Sequence, residues 1–165
     1  MKTRYLTVLA LIALAGAARA QSPAHLALQA GAAVPLRNDA DVFNVGIHVG
    51  ASLKVALIPI RFDATYDRMD TKATGGTAIS LLAGTVEFPF TITPPLLPVS
   101  VYIFPGGGVY NHTQGVSKTN IGINAGAGLS LNALGVKPFV EGRGNLVFSK
   151  GNKLTYGTIG IGIRL

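Results

Sequence analysis

The chain has 165 residues, enough for one domain, with 48% hydrophobic and only 13% charged residues. An ordinary soluble domain carries about a quarter charged residues, so a conventional hydrated surface is doubtful and intrinsic disorder is excluded. Cysteine is absent, which rules out a disulfide scaffold, a thiolate zinc site and a thiol nucleophile. Beyond the first 20 residues no apolar run approaches the ~20 residues of a spanning helix, so a helical bundle in a membrane does not fit.

Residues 1–20 read as a secretory signal peptide. Lys2 and Arg4 form a positive start, Leu6 to Ala15 an apolar centre, and Ala18-Arg19-Ala20 a small-residue cleavage site. The mature domain is then 21–165. Losing Lys2, Arg4 and Arg19 lowers the formal charge from +7 to +4. The remaining cations are scattered singly, without the clustered patch that nucleic-acid binding needs.

Clusters of Pro, Gly, Asn and Asp divide the mature chain into eight segments: 25–35, 42–54, 58–67, 77–90, 98–110, 120–132, 137–148 and 154–165. Most match the ~9–11 residues a tilted strand needs to cross a bilayer, and none carries a 3.6-residue stripe. The connections alternate in character. Those at 36–41, 68–76, 111–119 and 149–153 are polar and charged. Those at 55–57, 91–97 and 133–136 are uncharged, and shorter or Pro-rich. Strict alternation puts the two sets at opposite ends of an up-and-down meander, the asymmetry of an outer-membrane barrel.

Successive side chains in a strand point to opposite faces, so each charge fixes the polar face of its segment. Arg61 and Asp63 oppose Ile60 and Phe62. Glu141, Arg143 and Asn145 oppose Val140, Leu146 and Phe148. Thr158 and Arg164 oppose Ile159, Ile161 and Ile163. Asn124, Gly126, Gly128 and Ser130 oppose Ala125, Ala127 and Leu129. In 42–54, Phe43, Val45, Ile47 and Val49 oppose Asn44, Gly46 and His48. Segment 77–90 fits worst, because Ile79 and Leu81 share a face with Glu87, which suggests a bulge. The polar face is rich in Gly, Ser, Asn and Thr rather than Lys and Glu. That suits a narrow lumen filled by side chains better than a wall in water. The apolar face then meets lipid, with Phe43, Tyr66 and Phe148 girdling the loop end and Phe88 and Phe90 the turn end. Serine at Gly126 should be mild on this reading.

These features, with the runs GINAGAGLSL (122–131), PFVEGRGNLVF (138–148) and GTIGIGIRL (157–165), resemble the small outer-membrane β-barrels of Gram-negative-type bacteria, the OmpA-like and OmpW-like eight-stranded domains. The resemblance covers the mature chain. It implies an eight-stranded antiparallel transmembrane barrel in the bacterial outer membrane, monomeric, contacting outer-membrane lipid and the outer-membrane assembly machinery, which reads the last strand. Such barrels usually end in an aromatic, where this chain has Leu165. Some relatives add a peptidoglycan-binding domain; here the sequence stops at the eighth strand, so that activity is not implied.

The candidate site is a charge network in the lumen, Arg61, Asp63, Glu87, Glu141 and Arg143, with Gln29, His48, Tyr102 and Asn124 nearby. Opposite charges in a narrow lumen neutralise one another, so the expected role is structural. His25, His48 and His112 lack metal-ligand spacing, so neither metal nor cofactor is expected. Gly106-Gly107-Gly108 after Pro105 has no following helix; a bend or bulge explains it better than a phosphate loop. The expected function is a structural or interaction barrel without catalysis. Two alternatives stand. One is an outer-leaflet lipid-modifying enzyme built on His112 and Ser117 with Asp67 or Asp70. The other is a secreted lipocalin-like carrier with an apolar interior.

Overall fold

A computed structural model describes residues 24–55, 58–94, 98–131, 137–149 and 152–165. The expected signal peptide, the turn at 133–136 and parts of the connections at 55–57, 91–97 and 149–153 lie outside the described residues.

The strands are β1 (Ala24–Pro35), β2 (Gly46–Val55), β3 (Arg61–Met69), β4 (Ile79–Glu87), β5 (Phe90–Ile92), β6 (Val99–Gln114), β7 (Val116–Leu131), β8 (Lys137–Ser149) and β9 (Asn152–Arg164). Apart from β4 and β5, successive strands pair antiparallel, and β1 pairs with β9 from Ala27↔Arg164 to Pro35↔Tyr156. β4 and β5 form one stave. Both pair with β6 in a single register, through Glu87↔Gly106 and Phe90↔Ile103. The result is a closed eight-staved barrel. Closure suits an apolar surround, since a sheet joined end to end has no free edge strand along its length except at the short β5.

The break at Phe88-Pro89 is not a bulge. Phe88 N–H still donates to the Pro105 carbonyl at 2.9 Å, and Pro89 has no N–H to continue the ladder. Parity therefore holds along 79–87, and Ile79 and Leu81 do point inward with Glu87. The expected bend at 106–108 is also absent, because these glycines run as straight strand between β4 and β7. A β-carbon on Gly106 would stand 2.6 Å from the Glu87 Cγ, so it is close packing that demands glycine there.

The polar connection 111–119 is mostly strand. β6 and β7 continue as a hairpin past the rest of the barrel and turn at Gly115, whose φ of 77° suits glycine. Beyond Thr113, the last residue paired to β4, residues 114–119 are exposed on both faces, which explains why this part of the ladder is polar and escaped the alternation rule. Segment 42–54 also differs at its start. A four-residue helical turn, α1 (Asp39–Val42), precedes β2 and swings Phe43 out of strand parity. Phe43 is 6% exposed at the barrel mouth, bridged to Thr71, so it does not belong to the aromatic girdle. The connection around it is clipped down by Asn44 N–H to the Asp70 carbonyl (2.8 Å) and Lys72 N–H to the Val42 carbonyl (2.8 Å).

The exterior is apolar. Val45, Ile47, Phe62, Ile103, Ile121, Ile123, Ile159 and Ile161 are all exposed, the last at 71%. Phe88, Phe90 and Phe148 are exposed too, as a girdle requires, and Tyr66 is half-buried. A soluble carrier with an apolar interior needs the opposite arrangement, and that alternative is overturned.

Closure makes an expected result for the last strand. Leu165 N–H bonds the Leu26 carbonyl at 2.8 Å, beyond the Ala27↔Arg164 pair. Deleting Ile163 to Leu165 frees the turn end of β1 and opens an edge in an apolar surround. The heat-modifiable, folded fraction on SDS gels should fall sharply, whereas Leu165→Phe should retain it. Full folding of the truncated chain would contradict the closure at β1–β9.

Candidate functional site: the filled lumen

The lumen is layered along the barrel axis. Its middle holds Arg61, Asp63, Glu87, Glu141 and Arg143, brought together from β3, β4 and β8 and all buried. Each guanidinium touches all three carboxylates. Arg61 donates through Nε to Glu87 (2.8 Å) and through Nη1 to Glu141 (2.7 Å), and lies 3.3 Å from Asp63. Its Nη2 makes a further, very close bond to Glu87. Arg143 meets Asp63 at 2.7 Å, Glu87 at 2.9 Å and Glu141 at 2.9 Å. Such bonds between ions are stronger than neutral ones, and together they offset a desolvation cost that an isolated charge would not survive.

Neighbouring groups complete the cluster. Tyr102 OH donates to Glu141 at 3.0 Å, and Asn124 Nδ2 to Glu87 at 3.0 Å. The Phe104 ring packs against both guanidiniums, 4.3 Å from Arg61 and 5.2 Å from Arg143. Of the residues expected nearby, Tyr102 and Asn124 join the network, whereas His48 does not. It bonds Asp67, directly across the β2–β3 ladder, at 2.6 Å through Nδ1. Asp67 in turn accepts from Tyr156 OH at 3.1 Å. This buried Tyr156–Asp67–His48 chain was not foreseen as a unit. The signal was available, since Asp67 shares parity with Arg61 and Asp63. Three buried polar atoms beside the network, Asn124 Oδ1, Arg143 Nε and Asn145 Nδ2, have no protein partner among the described residues.

Small residues make room for this filling. Gly126 and Gly128 on β7 stand directly across from Phe104 and Tyr102 on β6, and each ring lies over its glycine. A β-carbon on Gly126 would run into the Phe104 ring and the Gly142 carbonyl oxygen, the latter at 2.5 Å. The expectation that serine is mild there is therefore corrected: the lumen is too full.

Toward the loop end the lining turns apolar. Ala33, Phe43, Met69, Ile79, Leu81, Val147 and the rings of Tyr110 and Tyr156 form one buried cluster that plugs the mouth. Polar parity in this part of the chain thus carries hydrophobic side chains. At the turn end the lumen opens instead into a vestibule of about 540 Å³.

The residues weighed for catalysis are dispersed. Asp67 is a lumen residue, not a loop residue. Asp70 is exposed, 3.7 Å from Arg68. Ser117 Oγ donates to Asn111 Oδ1 at 3.0 Å, while His112 Nδ1 pairs with Asn120 Nδ2 at 2.9 Å. Burial lowers the His112 pKa, and Lys118, its cross-strand partner, lowers it further. A catalytic base held by a carboxylate would show the opposite influence. Among the described residues no three His, Asp or Glu side chains stand together as metal ligands.

Among solved structures, the chain resembles Neisserial surface protein A, with a TM-score of 0.70 at 17% identity over 87% of this chain and 97% of that one. It also resembles the N-terminal β-barrel domain of Pseudomonas aeruginosa OprF, with a TM-score of 0.52 at 12% identity over 87% and 98%. At these identities the likeness is one of fold, and it covers almost the whole of both barrels. No protein-family model matches the sequence, and no curated protein does.

Proposed function

We propose that this chain is a monomeric outer-membrane protein, a structural or interaction barrel without catalysis, whose residues 1–20 are removed as a signal peptide. One observation carries the reading: an apolar exterior encloses an ion-paired, side-chain-filled lumen, the reverse of a soluble barrel. The exterior suits outer-membrane lipid, and the paired β1–β9 seam suits delivery and closure by the outer-membrane assembly machinery. The fold likeness to a Neisserial surface protein points the same way. The apolar plug and the charge network fill the lumen with buried side chains, as an eight-stranded barrel's width leads one to expect, which argues against conduction. The network's part is to hold the staves at a fixed spacing. What remains for interaction is the β6–β7 hairpin, whose polar tip stands clear of the barrel.

Fractionation tests the compartment. The protein should sediment with outer membranes and migrate differently on SDS gels with and without heating. Recovery as a soluble periplasmic monomer without detergent would overturn the proposal. The enzyme alternative is tested separately: His112→Ala with Ser117→Ala should leave assembly and the host's lipid A acylation pattern unchanged. A shift in that pattern, lost in the double variant, would restore the enzyme reading.

A further inference from the structure

The vestibule at the turn end has a lining unlike the rest of the barrel. Lys54, Lys137 and Arg164 face it from β2, β8 and β9, with His25 from β1. Hydroxyls of Thr91, Thr93 and Ser130 share the wall. No Asp or Glu lines it, and none of the three permanent cations enters an ion pair among the described residues. Lys54 stands across the ladder from Arg61 on one side and His25 on the other, and Lys137 stands across from Arg164. The three carboxylates above are already engaged by Arg61 and Arg143. Leu165 lies on the rim and forms no ion pair either.

Like charges drawn together are unfavourable, and these three cations lack the side-chain carboxylate partners that Arg61 and Arg143 have deeper in the lumen. Arg164 is nonetheless held in place, its guanidinium 5.3 Å from the Tyr102 ring and 5.2 Å from the Phe139 ring. The Thr93 and Ser100 hydroxyls are likewise fixed against each other at 2.8 Å. Cations converging in a cleft with low-dielectric walls concentrate anions, and ordered hydroxyls supply the hydrogen bonds that an oxyanion accepts.

We propose that the turn-end vestibule binds a phosphate-type dianion, held by Lys54, Arg164 and Lys137 and hydrogen-bonded by the vestibule hydroxyls. The proposal rests on the outer-membrane reading only for its compartment, where the vestibule opens to the periplasm. The phosphoryl group has two sources, a soluble phosphate compound or the headgroup of an inner-leaflet phospholipid. The inward parity of the cations favours the soluble one.

The test uses the folded protein in zwitterionic-lipid nanodiscs, with backbone amides followed by NMR as inorganic phosphate replaces chloride at constant ionic strength. Saturable shifts are expected at Lys54, Ser130 and Arg164. Lys54→Gln and Arg164→Gln should each weaken binding about tenfold. Lys118→Gln, at the far hairpin, should leave it unchanged. Lys137→Gln on the exposed rim gives a second reading should a deeper variant fail the heat-modifiability check for folding. Shifts that never saturate, or that persist in all three vestibule variants, would overturn the proposal. A phosphatidylglycerol disc separates the sources. If it moves the same amides without phosphate and blocks phosphate binding, the phosphoryl group belongs to lipid; if phosphate still binds, it is soluble. Failure of the outer-membrane reading would show in fractionation and leave this binding result intact.

Discussion

Arg143→Met should destabilise the barrel by roughly 3–5 kcal/mol, the cost of breaking a buried ion pair by removing one side of it. Three carboxylates, Asp63, Glu87 and Glu141, would be left facing Arg61 alone, with Glu87 fully buried. Methionine keeps the aliphatic stem but is shorter than arginine, so part of the loss is packing, and only coupling to the acids isolates the charge. Adding Glu87→Gln should recover part of the loss, because it removes one uncompensated charge and leaves an amide oxygen that Arg61 still reaches. The measurement is a double-mutant cycle from urea-induced unfolding in lipid vesicles. Coupling well above the typical error of independent sites, about 0.3–0.5 kcal/mol, is expected. Additive losses for Arg143 paired with each of the three acids would mean that the cluster does not act as a unit. The same cycle with Arg61→Met should couple to the same acids, since both guanidiniums share all three.

The faces of the barrel were legible in the sequence because a strand's period of two is rigid. Arg61, Asp63, Glu141 and Arg143 label their faces, and the label carries from strand to strand once the sheet closes. What the period does not encode is depth along the axis. The lumen changes from charged in the middle to apolar at the loop end, so Ile79, Leu81, Met69 and Val147 share the polar parity while plugging the mouth. Read as a single polar face, Ile79 and Leu81 called for a bulge; read as a layered interior, they need none. Phe43 was missed for a different reason. A single helical turn before β2 breaks the alternation that the parity rule assumes. The extent of the β6–β7 hairpin was hidden because strands in water need no apolar face. The crowding at Gly126 was hidden because it depends on register: only the pairing Phe104↔Gly126 shows which ring covers which glycine.

Register also sharpens the contrast between the two walls. Ile161 is the most exposed of the β9 residues on the outer face, flanked by Val140 on β8 and Ala30 on β1, so arginine there faces lipid. Near the bilayer midplane that substitution costs ~2–4 kcal/mol, since the guanidinium must leave water or distort the bilayer to keep it. Ala127→Arg, exposed on β7 beside Gly142, should behave alike. Gly126→Ser, one residue away, is destabilising for an unrelated cause. Its side chain would enter a lumen already filled by Phe104, and overpacking costs typically 1–3 kcal/mol. Bilayer composition separates the two mechanisms. In vesicles of thinner lipid an arginine reaches the headgroups more easily, so the cost of Ile161→Arg should fall. That of Gly126→Ser should stay constant, because the clash lies inside the wall. If the serine variant tracked bilayer thickness and the arginine variant did not, the faces would be assigned the wrong way round and the lumen would lie outside.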